Sequence, residues 1–172
     1  MHAARKGFTL IELLVVIAII GILSATVLVS LNTARAKARD ARRQSDVRQL
    51  ETALALYYSE HGTYPQSPAG GFTWARSSCV AGSQYYTALE PLVSEGHLPT
   101  LPTDPVNTTS GNPQQCYWYF TSGHDGGNCG TTINANEYEY AIFFSTESAT
   151  LNHPVGRTGA SGPSWCVLGP KK

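Results

Sequence analysis

The sequence predicts an α+β chain: one long N-terminal helix, its first half suited to a membrane, packed on a small antiparallel sheet with long loops. Three observations predict it. Residues 8–31 are almost unbroken apolar, residues 32–60 stay helix-forming with no Gly or Pro, and the second half alternates aromatic stretches with Gly- and Asn-rich ones. Charge divides along the same line. The 172 residues carry 12 basic and 12 acidic side chains, yet residues 1–48 hold eight basic against three acidic, and residues 49–172 hold four against nine. Of the 16 Gly and 10 Pro, all but Gly7 and Gly21 follow residue 60. The zero net charge excludes a generally basic nucleic-acid binder and an acidic disordered tail. The length suits one domain with a special segment attached.

The apolar run comes first. Of residues 8–31, 18 are apolar and only Glu12 is charged. A bilayer core of about 30 Å takes about 20 such residues as a helix. Sixteen of them are Phe, Leu, Ile or Val, which together favour insertion by on the order of 8 kcal/mol. Glu12 lies near the edge of the run, where a charge costs least. A secretory signal peptide would have a shorter apolar region, no acid near its start, and a better cleavage site than Ser24-Ala25-Thr26.

Lys6-Gly7-Phe8-Thr9-Leu10-Ile11-Glu12-Leu13-Leu14-Val15-Val16 resembles the start of type IV pilins and of the pseudopilins of type II secretion and DNA-uptake systems. The resemblance implies a seven-residue leader, residues 1–7, cut between Gly7 and Phe8 by a prepilin peptidase that also N-methylates the new Phe8 amine. It leaves a mature subunit of residues 8–172. It also gives Glu12 a role. A lone carboxylate among apolar side chains needs a partner, and in the family that partner is the N-terminal amine of a neighbouring subunit. One departure stands out: the family usually has Pro where this chain has Val29, while Gly21 is kept. No kink is forced without that proline, so the state of the helix near Gly21 in a filament stays open.

The second half of the helix, residues 32–60, is rich in Ala, Arg, Leu, Glu and Gln. Val47, Leu50, Leu54 and Tyr57 fall at i, i+3, i+7 and i+10, so one face packs on a head. Ala34, Ala38 and Ala41 form a small-residue stripe upstream, and Gly62 with Pro65 marks the stop. A helix over residues 8–60 spans about 80 Å. The basic run 35–48 offers contacts to anionic lipid, to acids of a neighbouring subunit, or only to water. No aromatic residue interrupts it to stack bases, so nucleic acid is not among the expected partners. By simple charge count this basic flank belongs in the cytoplasm; the resemblance demands the reverse.

The head, residues 61–172, matches the family in two more places. Tyr57-Tyr58-Ser59-Glu60-His61-Gly62-Thr63-Tyr64-Pro65 is similar to the string at the exit of the family's long helix, and Leu98-Pro99 with Leu101-Pro102-Thr103-Asp104-Pro105 to the string before its sheet. Residues 89–95 suggest a short helix; 116–121, 137–145 and 164–168 suggest strands. Alternation puts Tyr138, Tyr140, Ile142 and Phe144 on one face of the second strand, as core rather than as a ligand platform.

Cys79, Cys116, Cys129 and Cys166 all follow the membrane segment, and no CxxC suggests a metal or redox site. An even count in an exported, loop-rich head reads as two disulfides, which places the head outside the cytoplasm. Three pairings are open; the reading leans to Cys116–Cys129 with Cys79–Cys166. No catalytic or nucleotide-binding motif occurs, so no enzymatic activity and no cofactor are expected. Some major pseudopilins bind Ca²⁺ in the head. Asp104 and Asp125 are the acids this chain offers, but their spacing does not fit an EF-hand loop and ordinary turn residues are the simpler reading.

The expected function is a structural subunit of a type IV pilus-like filament, built from copies of itself and other pilins. The expected partners are the prepilin peptidase and an assembly platform in the cytoplasmic membrane. The chain starts as a single-pass membrane protein with its head outside and ends in a surface or periplasmic filament. A pseudopilin of a secretion or DNA-uptake system is the alternative, and a permanently anchored binding domain a more distant one.

Overall fold

The computed structural model describes residues 7–67, 77–108, 115–121, 138–147, 157–158 and 164–171. The chain divides into two compact units, one ending at Lys37 and the other beginning at Ala38.

The first unit is the apolar part of α1 (Leu10–His61). Its helix is regular through Gly21 and Val29, as expected where no proline removes a backbone donor. Among the described residues, large apolar side chains from Phe8 and Leu10 to Leu28 and Leu31 are exposed.

The second unit contains the rest of α1, α2 (Gln84–Ser94) and four strands: β1 (Trp118–Phe120), β2 (Ala141–Ser145), β3 (Arg157–Thr158) and β4 (Ser164–Leu168). The sheet is antiparallel in the order β1-β2-β4-β3. Ile142 sits opposite Val167 on β4 and Tyr119 on β1. One sheet face carries Tyr117, Tyr119, Tyr140, Ile142, Phe144, Trp165 and Val167, which pack with Val47, Leu50, Ala53 and Leu54 of α1 and Leu89 and Leu92 of α2. The other carries Cys116, Trp118, Phe120, Ala141, Phe143, Cys166 and Leu168. Both faces are buried, which explains near-continuous apolar strands in place of a clean inside–outside alternation.

Three details differ from the sequence reading. α2 begins at Gln84, five residues before the expected start, because Ser83 provides the entry and Tyr85 is fully buried. The short strand β3 was not anticipated. Tyr138 packs against the second cluster, while Tyr140 belongs to the first, because regular strand begins only at Ala141 and the bend at Glu139 breaks the alternation. That bend also needs Gly169: its N–H bonds the Tyr140 carbonyl at 2.9 Å, and a Cβ there would lie 2.5 Å from Tyr140 Cδ1.

Candidate functional site

Thr9 is the N-cap of α1, and its carbonyl takes the first helical bond from Leu13 at 3.3 Å. Thr9 Oγ1 accepts the Glu12 backbone N–H at 3.3 Å. Glu12 Oε2 accepts the Thr9 backbone N–H at 2.9 Å and the Thr9 hydroxyl at 2.8 Å. This reciprocal pair is a capping box. The signature, Thr-x-x-Glu before an apolar run, is visible in the sequence and involves Thr9 as much as Glu12. Both side-chain bonds fall on one carboxylate oxygen, so Glu12 keeps acceptor capacity for a donor from outside the chain. Phe8, the residue before the cap, is 81% exposed. α1 is long and apolar enough to cross a membrane, and none of its most apolar 18-residue stretch is buried.

The basic run of α1 resolves into two kinds of residue. Arg35, Lys37, Arg42 and Arg48 are exposed. Arg43 is fully buried. Its Nε and Nη2 donate to the two oxygens of Asp104 at 2.6 and 2.9 Å. Its Nη1 donates to Asp40 at 2.7 Å and to Glu147 at 2.9 Å, and Nη2 also reaches the Gln115 side-chain oxygen at 3.2 Å. All five guanidinium donors are thereby used. Arg39 completes the cluster with a forked contact to both Glu147 oxygens. Burial alone would lower the Arg43 pKa; bonding to Asp104, with Glu147 and Asp40, overcomes it and raises it. The bond from Arg39, reinforced by Arg43, holds the Glu147 carboxyl below its ordinary value despite burial. The expectation of a lipid-facing, subunit-facing or simply solvated run therefore does not hold for Arg43, whose partners are Asp40 of the same helix and residues of the head.

The same network occupies Asp104, one of the two acids named for calcium. Both Asp104 oxygens are taken by Arg43, and Oδ1 also accepts the backbone N–H of Val106 at 2.9 Å. The carboxylate is a joint between α1 and the Leu-Pro-Thr-Asp-Pro segment. Asp125 lies outside the described residues. Tyr85 ties the same segment down by donating to the Pro102 carbonyl at 2.8 Å. At the helix exit, Tyr64 stacks on Tyr58 and meets Tyr140 edge-on, while Pro65 accepts from the Tyr119 hydroxyl.

The cysteine pairing also departs from expectation. Cys79 is bonded to Cys116, with Cα atoms 5.4 Å apart. This excludes both Cys116–Cys129 and Cys79–Cys166. Ser77 pairs with Trp118 across an antiparallel bridge, and Ser78 N–H bonds the Tyr117 carbonyl at 2.8 Å. The segment before Cys79 thus lies against β1, a long-range pairing that sequence spacing did not show. Cys166 is also disulfide-bonded; Cys129 lies outside the described residues.

The family model for the prokaryotic N-terminal methylation motif matches residues 2–28. The chain is 33% identical over 103 residues to the type II secretion system core protein G of Klebsiella michiganensis, covering 59% of this chain and 68% of the relative. It belongs to the type IV pilin and pseudopilin family. Core protein G of Pectobacterium carotovorum subsp. carotovorum is 31% identical over 104 residues, 60% of this chain, and the match spans 64% of that relative, just under two thirds. The type IV major pilin protein PilE1 of Neisseria gonorrhoeae is 44% identical over 73 residues, 41% of this chain and 33% of that pilin. No solved structure matches. The membrane-suited helix is thus the anchor of a pilin-family subunit, and within the second unit Arg43 and Asp104 join the later turns of α1 to the segment before the sheet.

Proposed function

We propose that the chain is a structural filament subunit, made as a precursor, cut between Gly7 and Phe8, methylated at Phe8 and polymerised through α1. The observation that carries this reading is the methylation motif at the head of a helix whose most apolar stretch is unburied. Such a surface is stable only in lipid or against other helices. In the membrane the subunit waits in lipid; in the filament, neighbouring helices replace the lipid. Glu12 is already held by Thr9 at the helix start and accepts the Phe8 amine of a neighbouring copy, which sets register. The role is assembly, without catalysis. The partners are copies of the chain, related pilins, the prepilin peptidase and a membrane assembly platform. The head lies outside the cytoplasmic membrane. The disulfide supports that side, and the pairing of Arg39 and Arg43 with head acids removes two charges from the count that argued otherwise.

A surface pilus is the first use. A secretion pseudopilus is the second, favoured by the longer matches to core protein G, over 103 and 104 residues against 73 for PilE1. The test is Glu12→Val. The variant inserts into the membrane and is processed like the parent, but filaments sheared from cells no longer contain it. Normal filaments built from Glu12→Val would overturn the assembly role. Surface filaments that contain the parent chain support the pilus; a secretion defect in its absence, without such filaments, supports the pseudopilus.

A further inference from the structure

Two helix C-termini in the head bring together four side chains that the filament role does not use. Glu60 and His61 are in the last turn of α1, which Gly62 ends at a φ of 69°. Glu95 is the C-cap of α2. Gly96, at a φ of 83°, reverses the chain so that Leu98 N–H bonds the Leu92 carbonyl at 2.8 Å. That turn returns His97 toward Glu95 and Glu60.

The His61 Nε2 to Glu95 Oε2 distance is 2.7 Å. His97 Nε2 lies 3.5 Å from the same Glu95 oxygen and 3.7 Å from Glu60 Oε2. The His97 side chain is only 7% exposed, and its Nε2 is buried with no hydrogen-bond partner. Such an orphaned atom, aimed at two carboxylates, calls for an explanation. Tyr57 holds both imidazoles: it stacks on His61 at 4.2 Å between ring centroids and meets His97 edge-on at 6.1 Å.

We propose that Glu60, His61, Glu95 and His97 form a binding site for one divalent transition-metal ion, of the Zn²⁺ class. Zinc bonds of about 2.0–2.2 Å in a tetrahedron set ligand atoms roughly 3.3–3.6 Å apart. The two His97 distances are close to that. The donor atoms of Glu60, His61 and Glu95 lie within 4.8 Å of one another, so side-chain rotation closes the set and the His61–Glu95 bond opens by less than about 1 Å. Two carboxylates and two neutral imidazoles balance a 2+ ion. The negative ends of two helix dipoles add to the attraction. Two ring nitrogens favour Zn²⁺ over Ca²⁺ or Mg²⁺, which take oxygen ligands. The bound ion ties the end of α1 to the α2 turn.

The test is calorimetric titration of the full chain in detergent micelles, stripped with chelator, using ZnCl₂ and then CaCl₂. One Zn²⁺ per chain is expected, with no competition from Ca²⁺. His61→Gln removes an exposed ligand and leaves the buried packing intact. It weakens Zn²⁺ binding by at least about 100-fold, the upper end of what changes beyond the ligands themselves cost. His97→Gln does the same. Co²⁺ gives the intense visible bands of a tetrahedral N/O site in the parent and loses them in His61→Gln, whose far-UV circular dichroism matches the parent's. No saturable Zn²⁺ binding, or binding undiminished in His61→Gln, overturns the proposal.

Discussion

Arg43 and Asp104, 61 residues apart, meet through two parallel charge-assisted hydrogen bonds of 2.6 and 2.9 Å with neither side chain exposed. A buried pair of this kind earns little net stability over an apolar one, because desolvating the charges offsets their attraction. What it does is define which turn of α1 lies against the segment before the sheet. With Glu147 on the same guanidinium as Asp104, one side chain of α1 holds two separate stretches of the head.

Removing that side chain strands the acids. Arg43→Ala should destabilise the head by about 3–5 kcal/mol, the cost of leaving buried charges unpaired. Arg43→Lys restores the charge but has only three donors and no fork, and should recover part of the loss. Denaturant unfolding of the micelle-held chain, followed by near-UV circular dichroism, measures both. A loss below about 1 kcal/mol, the value of a surface pair, would contradict the reading.

Glu147 gives the network a pH dependence. Its carboxyl titrates below the ordinary value of 4.5, held down by Arg39 and then Arg43. A depressed acid contributes stability that is present above the unfolded pKa and is lost as pH falls through the folded one. The difference in Tm between the parent and Glu147→Gln should therefore be full at neutral pH and shrink below about 4.5. A difference that stays constant down to strong acid would rule out ionised Glu147 as the partner.

Much of this fold could be read from the chain, and the reasons are local. The membrane-suited run, the α1 stripe at Val47, Leu50 and Leu54, and the aromatic strands are written in periodicities a few residues long. Arg43 was misread because a basic run usually faces water. The clue was there: stepping back from Leu50 and Val47 by the same helical spacing lands on Arg43 and Asp40. Which acids they would meet was not legible, since Asp104 and Glu147 arrive from 61 and 104 residues away. The cysteine pairing failed for the same reason: it depends on residues near 77 lying against β1.

That pairing is checked by peptide mapping. A non-reducing digest should contain a Cys79–Cys116 linked peptide, where the sequence alone favoured Cys79–Cys166. The bond closes a separation of 37 residues. Replacing both cysteines with Ser should cost about 3–4 kcal/mol in the loop-closure account. Recovery of Cys79 linked to any other cysteine would contradict the fold around β1.

Gly169 tests the packing of the second strand. Gly169→Ala sets a methyl against the Tyr140 ring, a clash the buried ring absorbs only by moving. The expected cost is about 1–3 kcal/mol. Tyr140→Ala combined with Gly169→Ala should show no further loss over Tyr140→Ala alone. Full additivity in the double variant would place the strain elsewhere.

The start of the mature chain separates a filament subunit from a permanently anchored domain. Intact-mass and N-terminal fragment analysis of the protein from its native membrane or filament measures it directly. Processing predicts a subunit of residues 8–172 that begins at Phe8 with a methylated amine. A mature protein that keeps residues 1–7, or that begins at an unmodified residue other than Phe8, would contradict the filament-subunit reading and favour a permanently anchored domain.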